Sequence, residues 1–281
     1  MTNRFFVDRT VSRWEGTSVL LAGDEAHHFC KVMRGKVGDS LVLFDGTETF
    51  VHGIVEAIQK EGVRVRITET FADEVESPLR LTVAAALPKG DRQRFLIEKL
   101  AELGVARFVP VSMERSVARA NDAAIQRLRR YVVEAAKQCG RNVLMEITAE
   151  VPMGKLTDFL AADAMAKFLL HPVALGSVGQ TTARQILSDR PEPGRAVGSA
   201  LAQPPSPRRV SVVGLTESHP EISNQLQYSI AILVGPEGSF TDQEIAVALQ
   251  GGFKPLDLGK RILRTETACI AAAALLLTVA G

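Results

Sequence analysis

Two stretches near the C-terminal end decide how this sequence is read: Ile232-Leu233-Val234-Gly235-Pro236-Glu237-Gly238-Ser239-Phe240, and Leu256-Asp257-Leu258-Gly259-Lys260-Arg261-Ile262-Leu263-Arg264-Thr265-Glu266-Thr267-Ala268. Each is an apolar strand pattern that runs directly into a glycine-bearing loop. Loops at the carboxyl ends of parallel strands are where open α/β sheets bind ligands. Glycine there lets a ligand approach the backbone, and Pro236 stiffens the turn. A lone Gly-Pro-Glu-Gly reads equally well as a plain turn. Two such loops in succession, the second ending in Arg-x-Glu-Thr-Ala, point to a binding site.

Working outward, the chain from Leu79 onward alternates strand and helix patterns. Leu81 to Leu87 is an apolar strand ended by Pro88-Lys89-Gly90. Arg92 to Leu103 carries apolar residues at 96, 97, 100 and 103, a helical stripe, with Gly104 placed as its C-terminal cap. Phe108 to Met113 reads as a strand and 122–139 as a basic amphipathic helix. Further strands are expected at Ala166 to Leu170 and Ile230 to Val234. Thr241-Asp242-Gln243-Glu244 is a capping box opening a helix that ends near Gly251-Gly252, and Thr265 to Val279 is a long apolar helix. This alternation predicts an α/β domain with a mostly parallel sheet covered on both faces.

The N-terminal part has a different texture. Val37-Gly38-Asp39 reads as a turn and Ser40 to Phe44 as a strand, followed by the hairpin signal Asp45-Gly46. Phe50 to Ile58 and Val63 to Thr68 are further strands, turning at Glu61-Gly62. Such spacing predicts a small β-barrel. The acidic stretch 72–78 reads as a linker, so the expected domains are 1–75 and 76–281. Ser188 to Arg209 contains five prolines and two glycines among 22 residues, with no apolar period, and is expected to be a flexible insertion.

Composition narrows the function. The chain has 281 residues, 46% hydrophobic and 23% charged, enough apolar material for a substantial core. The longest apolar run, which holds Cys269 to Leu277 and begins at Ala268, is little more than half of the roughly 18 residues a spanning helix requires. Residues 1–9 lack a basic stretch followed by an apolar run, so no signal peptide is expected and the expected compartment is the cytoplasm. Cys30, Cys139 and Cys269 are widely spaced with no C-x-x-C pair, which fits neither a disulfide framework nor a zinc site. Basic residues are concentrated within 89–141, 12 against 6 acidic. Such an excess can receive phosphates, or can be an ordinary solvated helix face. Neither a P-loop nor an early G-x-G-x-x-G is present, and H-E-x-x-H and G-x-S-x-G are missing too. His27-His28 are sequence neighbours and do not share a face, so no metal is expected.

At its glycine loops the sequence resembles the SPOUT methyltransferases, α/β domains with a C-terminal trefoil knot, and more closely the ribosomal RNA small subunit methyltransferase E family. The likeness extends to Arg4-Phe5-Phe6, to His28-Phe29-Cys30-Lys31-Val32-Met33-Arg34 with Gly38-Asp39, and to Lys89-Gly90-Asp91. It continues through Glu102-Leu103-Gly104, Glu114-Arg115-Ser116, Glu134, Gln138 and Arg141. Only the proline-rich insertion stands outside it. Two departures are visible. Ser239 stands where the family usually has glycine, a mild change provided the position does not require positive φ, and the segment after Arg141 lacks an expected proline.

The resemblance implies a PUA-like RNA-binding barrel followed by a knotted domain that holds S-adenosyl-L-methionine and methylates N3 of a uridine in 16S rRNA. The implied cofactor loops are Leu170-His171-Pro172, Val234-Gly235-Pro236-Glu237-Gly238 and Leu258-Gly259 through Ile262-Leu263. Ile262 and Leu263 are also readable as core packing. Uracil N3 must lose a proton, and a cation beside the resulting anion favours it. Arg264 is the candidate for that role, or else a partner in an ion pair with Glu266 or Glu237; either carboxylate is a candidate proton acceptor. Arg4, Lys31, Arg34, Lys89 and Arg115 are candidate phosphate contacts, each also readable as a solvated surface charge. The implied partners are 16S rRNA or the small ribosomal subunit and a second copy of the chain. Alternatives are ribose 2′-O methylation on the same fold, a non-catalytic RNA-binding assembly factor, and a cysteine-nucleophile methyltransferase using Cys139.

Overall fold

The computed structural model describes residues 3–72, 76–161, 166–171, 181–182, 208–210 and 228–280. These fall into two compact units. One holds the N-terminal residues through Glu76 with Ala136–Leu144 and a short strand at Arg208–Val210; the other holds the remainder.

The first unit is built on β1 (Asn3–Phe6), β2 (Arg13–Glu15), β3 (Ser18–Leu21), β4 (Ser40–Phe44), β5 (Thr49–Ile58) and β6 (Val63–Ala72). The order is β1-β4-β5-β6-β3-β2, antiparallel except for the parallel pair β1–β4. Alternating side chains supply the core: Phe5, Val19, Leu21, Leu41, Leu43, Val51, Val63 and Val65 are each at most 1% exposed. The hairpins expected at Asp45-Gly46 and Glu61-Gly62 are present. The expected barrel is only partly realised, because no backbone ladder joins β1 to β2 among the described residues. Register shifts at His52/Gly53 and Val55/Ala57 mark bulges in β5, which bend a strand. Between β3 and β4 lie α1 (Gly23–His27) and a five-residue π-helical turn, His28–Val32.

The proposed insertion lies outside the described residues except at its end. There Arg208 and Arg209 belong to the strand Arg208–Val210, which pairs antiparallel with Thr70 to Ala72 of β6, so this end is ordered by a sheet ladder. Of the expected linker, residues 73–75 lie outside the description. Glu76 is held by Arg141, whose Nε and Nη2 donate to its two carboxylate oxygens at 2.8 and 2.7 Å.

The second unit is a parallel sheet of β7 (Leu79–Ala85), β8 (Arg107–Ser112), β9 (Glu146–Ile147), β10 (Val151–Pro152), β11 (Ala166–Leu170), β12 (Thr181–Thr182), β14 (Tyr228–Val234) and β15 (Lys254–Asp257); the Arg208–Val210 strand of the first unit is β13. The main order is β10-β8-β7-β14-β11-β15-β12, with β9 beside β8. One face carries α4 (Leu156–Phe159) and α5 (Asp242–Gln250), whose Leu156, Ile245 and Ala248 join Val109, Leu169, Ala231 and Leu233 in one core cluster. Against β7 and β14 packs α6 (Thr265–Ala280), which also meets α2 (Arg92–Leu103). Two-sided burial explains why β7 and β14 are nearly continuous apolar runs, as the sequence predicts. The basic amphipathic helix expected at 122–139 is α3 (Asp122–Cys139). No helix among the described residues is long and apolar enough to cross a membrane.

Candidate active site

Parallel pairing brings the carboxyl ends of three strands side by side. Leu170 of β11 is in register with Val234 of β14 and with Leu256 of β15. The chain leaving β14 and β15 is the pair of glycine loops, and together with the end of β11 they enclose a cavity of about 700 Å³. That volume lies within the usual range for small-molecule sites. Among the expected cofactor residues, Leu170, His171, Val234, Gly235, Glu237, Leu258, Gly259, Ile262 and Leu263 line it. Pro172 lies outside the described residues.

Gly238 does not line the cavity. Its carbonyl accepts from Arg115 Nη1 at 3.0 Å, and a Cβ at this position would come within 3.0 Å of the Arg115 side chain. Arg115, expected on the RNA, is thus a buttress of the first loop. Its neighbours in the Glu114-Arg115-Ser116 motif have matching duties. The Glu114 N–H donates to Glu244 Oε1 at 2.8 Å, and Ser116 Oγ accepts from the Met113 N–H at 2.9 Å. Glu244 also completes the α5 capping box, accepting from the Thr241 N–H while Thr241 Oγ1 accepts from the Glu244 N–H. One buried glutamate therefore ties the turn after β8 to the start of α5.

The first loop is shaped by close approaches. A Cβ on Gly235 would lie 2.8 Å from the Phe240 ring, so only glycine lets that ring fold back against the backbone. The Gly235 carbonyl accepts from Thr265 Oγ1 at 2.9 Å, which joins the first loop to the start of α6. His171 meets Phe240 with ring centroids 6.0 Å apart. Ser239 has φ of 61°, in the left-handed region. The proviso on that position fails: it does need positive φ, and serine occupies it at a cost of roughly 1–2 kcal/mol.

Charge in the cavity is arranged differently from the sequence expectation. Arg264 lines the cavity, exposed, and its side chain makes no ion pair among the described residues. The partner of both candidate carboxylates is Arg92, at the start of α2. Its Nη1 contacts Glu237 Oε1 and lies 3.8 Å from Glu266 Oε1. Glu237 is at the cavity wall, whereas Glu266 is 5% exposed, does not line the cavity, and has Oε2 buried without a hydrogen-bond partner among the described residues. Arg92 is placed by its neighbour Gln93, which is buried, donates to the Pro88 carbonyl at 2.9 Å and accepts from Arg127 at 3.1 Å. Sequence reading missed Arg92 as a site residue. Its signal was position, directly after Lys89-Gly90-Asp91 at the carboxyl end of a parallel strand.

Ile262 is 86% exposed, so core packing does not describe it; Leu263 is partly buried. Of the expected RNA contacts, Lys31, Arg34 and Lys89 are exposed and without ion pairs among the described residues. Arg4 instead donates to Asn142 Oδ1 and lies over the rings of Phe44 and Phe50, at 5.1 and 5.9 Å. Cys139 is exposed at the end of α3 and does not line the cavity. Cys269 is fully buried on α6, and burial together with the Glu266 charge pushes its thiol pKa far up, so it stays protonated and inert. Among the described residues no three His, Cys, Asp or Glu side chains cluster to hold a metal.

An open parallel sheet with a loop-lined cavity at the carboxyl ends of its strands is the architecture of a ligand-binding α/β domain. The chain belongs to the RNA methyltransferase family, whose domain model matches residues 75–191 and 205–277, and an RNA methyltransferase PUA domain matches residues 21–68. The ribosomal RNA small subunit methyltransferase E of Bacillus subtilis is 27% identical over 94% of this chain and 92% of its own length. That of Synechocystis is 28% identical over 89% of this chain and 70% of its own. A methyltransferase from Legionella pneumophila, solved with its cofactor SAM bound, superposes with a TM-score of 0.75 at 29% identity, over 99% of this chain and 98% of that one. The ribosomal RNA small subunit methyltransferase E of Neisseria gonorrhoeae, bound to S-adenosyl methionine, gives 0.71 at 26% identity over the same shares.

Proposed function

We propose that this chain transfers a methyl group from S-adenosyl-L-methionine to N3 of a uridine in 16S rRNA, acting in the cytoplasm as a homodimer on the RNA or the small ribosomal subunit. The observation that carries the reading is the cavity at the ends of β11, β14 and β15. It combines apolar walls from Leu170, Val234, Leu256 and Leu263 with residues of two glycine loops. Those are the features a nucleoside with an aliphatic tail requires, and the SAM-bound structures of similar chains support the assignment. When bound, the cofactor supplies an activated methyl carbon on a sulfonium.

The chain's own residues then supply position and charge. Backbone groups at Gly235 and Gly259 would hold the adenosine edge, and Leu258, Ile262 and Leu263, which line the same cavity, would supply apolar contact to it. Arg264, at the cavity wall and without an ion pair among the described residues, would stabilise the negative charge that spreads onto the uracil carbonyl oxygens as N3 loses its proton. Glu237 is the proton acceptor, because a base must reach the proton it takes and Glu266 lies beneath the cavity wall. Arg92 orients Glu237. Lys31, Arg34 and Lys89 contact phosphates, while Arg4 and Arg115 act through the internal contacts already described. A C-terminal trefoil knot, as the resemblance implies, is part of this reading; most of residues 171–228 lie outside the described residues. Tracing those residues in a crystal structure tests it.

The functional test is mass spectrometry of 16S rRNA nucleosides from a deletion strain carrying either the parent gene or an Arg264→Ala copy. N3-methyluridine restored by the parent alone is the expected result. Restoration of a 2′-O-methyl nucleoside instead would assign the ribose reaction. No change in any nucleoside would leave a non-catalytic binding protein.

A further inference from the structure

The segment between α1 and β4 presents an unusual surface. Val32 is 64% exposed, Met33 37% and Val37 60%, three aliphatic side chains at one tip of the first unit. Interleaved with them are Lys31, Arg34 and Lys36, all exposed and without ion pairs among the described residues. A tip this apolar would ordinarily fold inward or vary in conformation, yet its backbone is firmly held. The Met33 N–H donates to the His28 carbonyl at 3.0 Å, closing the π-helical turn, and the Gly35 N–H donates to the Phe29 carbonyl at 3.0 Å. The Lys36 N–H donates to Asp39 Oδ2 at 2.7 Å and the Gly38 N–H to the Val55 carbonyl at 2.8 Å. Buried Phe29 lies directly against Gly35, where any Cβ would come within 2.1 Å of its ring, so the core pins the tip from below.

Two further features are strained. Arg34 adopts φ of 54° without being glycine, and the preceding turn is a π-helix rather than an α-helix. Both conformations persist only where surrounding structure enforces them, and both concentrate at functional positions. Val32, Met33 and Val37 lie in or next to these turns and stay exposed, with Lys31, Arg34 and Lys36 exposed in the same segment.

A rigid apolar tip flanked by unpaired cations matches one kind of partner chemistry, a polyanion with apolar faces between its charges. We propose that Val32, Met33 and Val37 form a wedge that inserts against unstacked bases of the RNA, while Lys31, Arg34 and Lys36 hold the flanking phosphates. The proposal rests on the reading that this chain acts on RNA and names the apolar half of the contact, which carries no charge and is invisible to electrostatic arguments. Apolar side chains inserted between base steps are a known means of opening a nucleic acid.

The test compares the parent chain with V32S/M33S/V37S and with K31A/R34A/K36A, using filter binding to a labelled 16S transcript and to purified small ribosomal subunits across a salt series. The wedge predicts that the serine variant binds about tenfold more weakly at every salt concentration, with the slope of log affinity on log salt unchanged. The alanine variant should flatten that slope by about two to three, one counterion term per lost phosphate contact. Unchanged thermal melting and unchanged cofactor affinity by calorimetry verify the fold. A V32S/V37S variant, retaining Met33, serves if the triple variant melts early. Parent-like RNA binding by the serine variants overturns the wedge. Loss of self-association by sedimentation with RNA affinity intact also overturns it, by giving the tip to a second copy of the chain. Failure of the parent itself to bind either RNA probe removes the underlying reading instead.

Discussion

Arg264, Arg92 and Ser239 each make a sharp claim at the scale of single residues. Arg264→Ala should lower methyl transfer about a hundredfold or more while leaving cofactor affinity within a few-fold, because the lost cation meets charge that develops only during the reaction. Single-turnover assays beside calorimetry separate the two. Arg92→Ala should act through stability as well as rate, since it strips buried Glu266 of its nearest cation and releases Glu237. Arg92 is partly exposed, and solvent screening limits the loss to about 1–2 kcal/mol, measured by urea unfolding. Ser239→Gly should do the opposite. The residue already sits at φ of 61°, so glycine there should stabilise the chain by about 1 kcal/mol, at the loss of one hydroxyl from the cavity lining. Of these three residues only Arg264 was recognisable as a site residue beforehand, because it follows directly on a glycine loop. The pairing of Arg92 with Glu237 and Glu266 joins positions far apart in the chain, and no local periodicity carries that information.

At the scale of elements, local rules account for most of what is observed. α2 follows its apolar stripe to the Gly104 cap, and α5 begins at the capping box read from four residues. Thr241→Ala should therefore lower stability by about 1 kcal/mol in denaturant titration, through loss of the bond to the Glu244 N–H. Glu244→Ala should be worse, because it also orphans the Glu114 N–H on the adjoining turn. The elements that escaped sequence reading are those whose reason is not local. The strand β13 emerges from a proline-rich stretch because β6 offers Thr70 to Ala72 as a free ladder edge. At the π-helical turn His28–Val32, Phe29 is buried in the core and Gly35 packs directly on its ring, a contact that six-residue spacing alone does not reveal.

At the scale of the whole molecule, the buried sheet of the second unit can be followed through a residue far from any ligand. Cys269 is fully buried on α6 and keeps its proton, whereas Cys139 is exposed. A thiol reagent at pH 8 should label Cys139 rapidly and Cys269 only on unfolding, counted by mass spectrometry. The same burial sets a pH dependence. Above about pH 8.5 an unfolded thiol releases its proton and the buried one does not, so the unfolded state binds fewer protons and stability falls as pH rises further. Below that pH both forms are protonated and this group contributes no slope.

Periodicity and punctuation decided the identity and order of the main elements: period-2 strands around Asp45-Gly46 and Glu61-Gly62, apolar runs for a sheet buried on both faces, and helical stripes closed by caps. Those rules act between residues a few positions apart, so a linear string contains them. Tertiary packing alone decided which charges meet, which left-handed positions are enforced on non-glycine residues, and which apolar side chains remain outside. Arg92 between Glu237 and Glu266, Ser239 at positive φ, and the exposed side chains of Val32, Met33 and Val37 are all of that kind. Each depends on distances across the fold, where the energy of a contact is set by what another part of the chain places beside it.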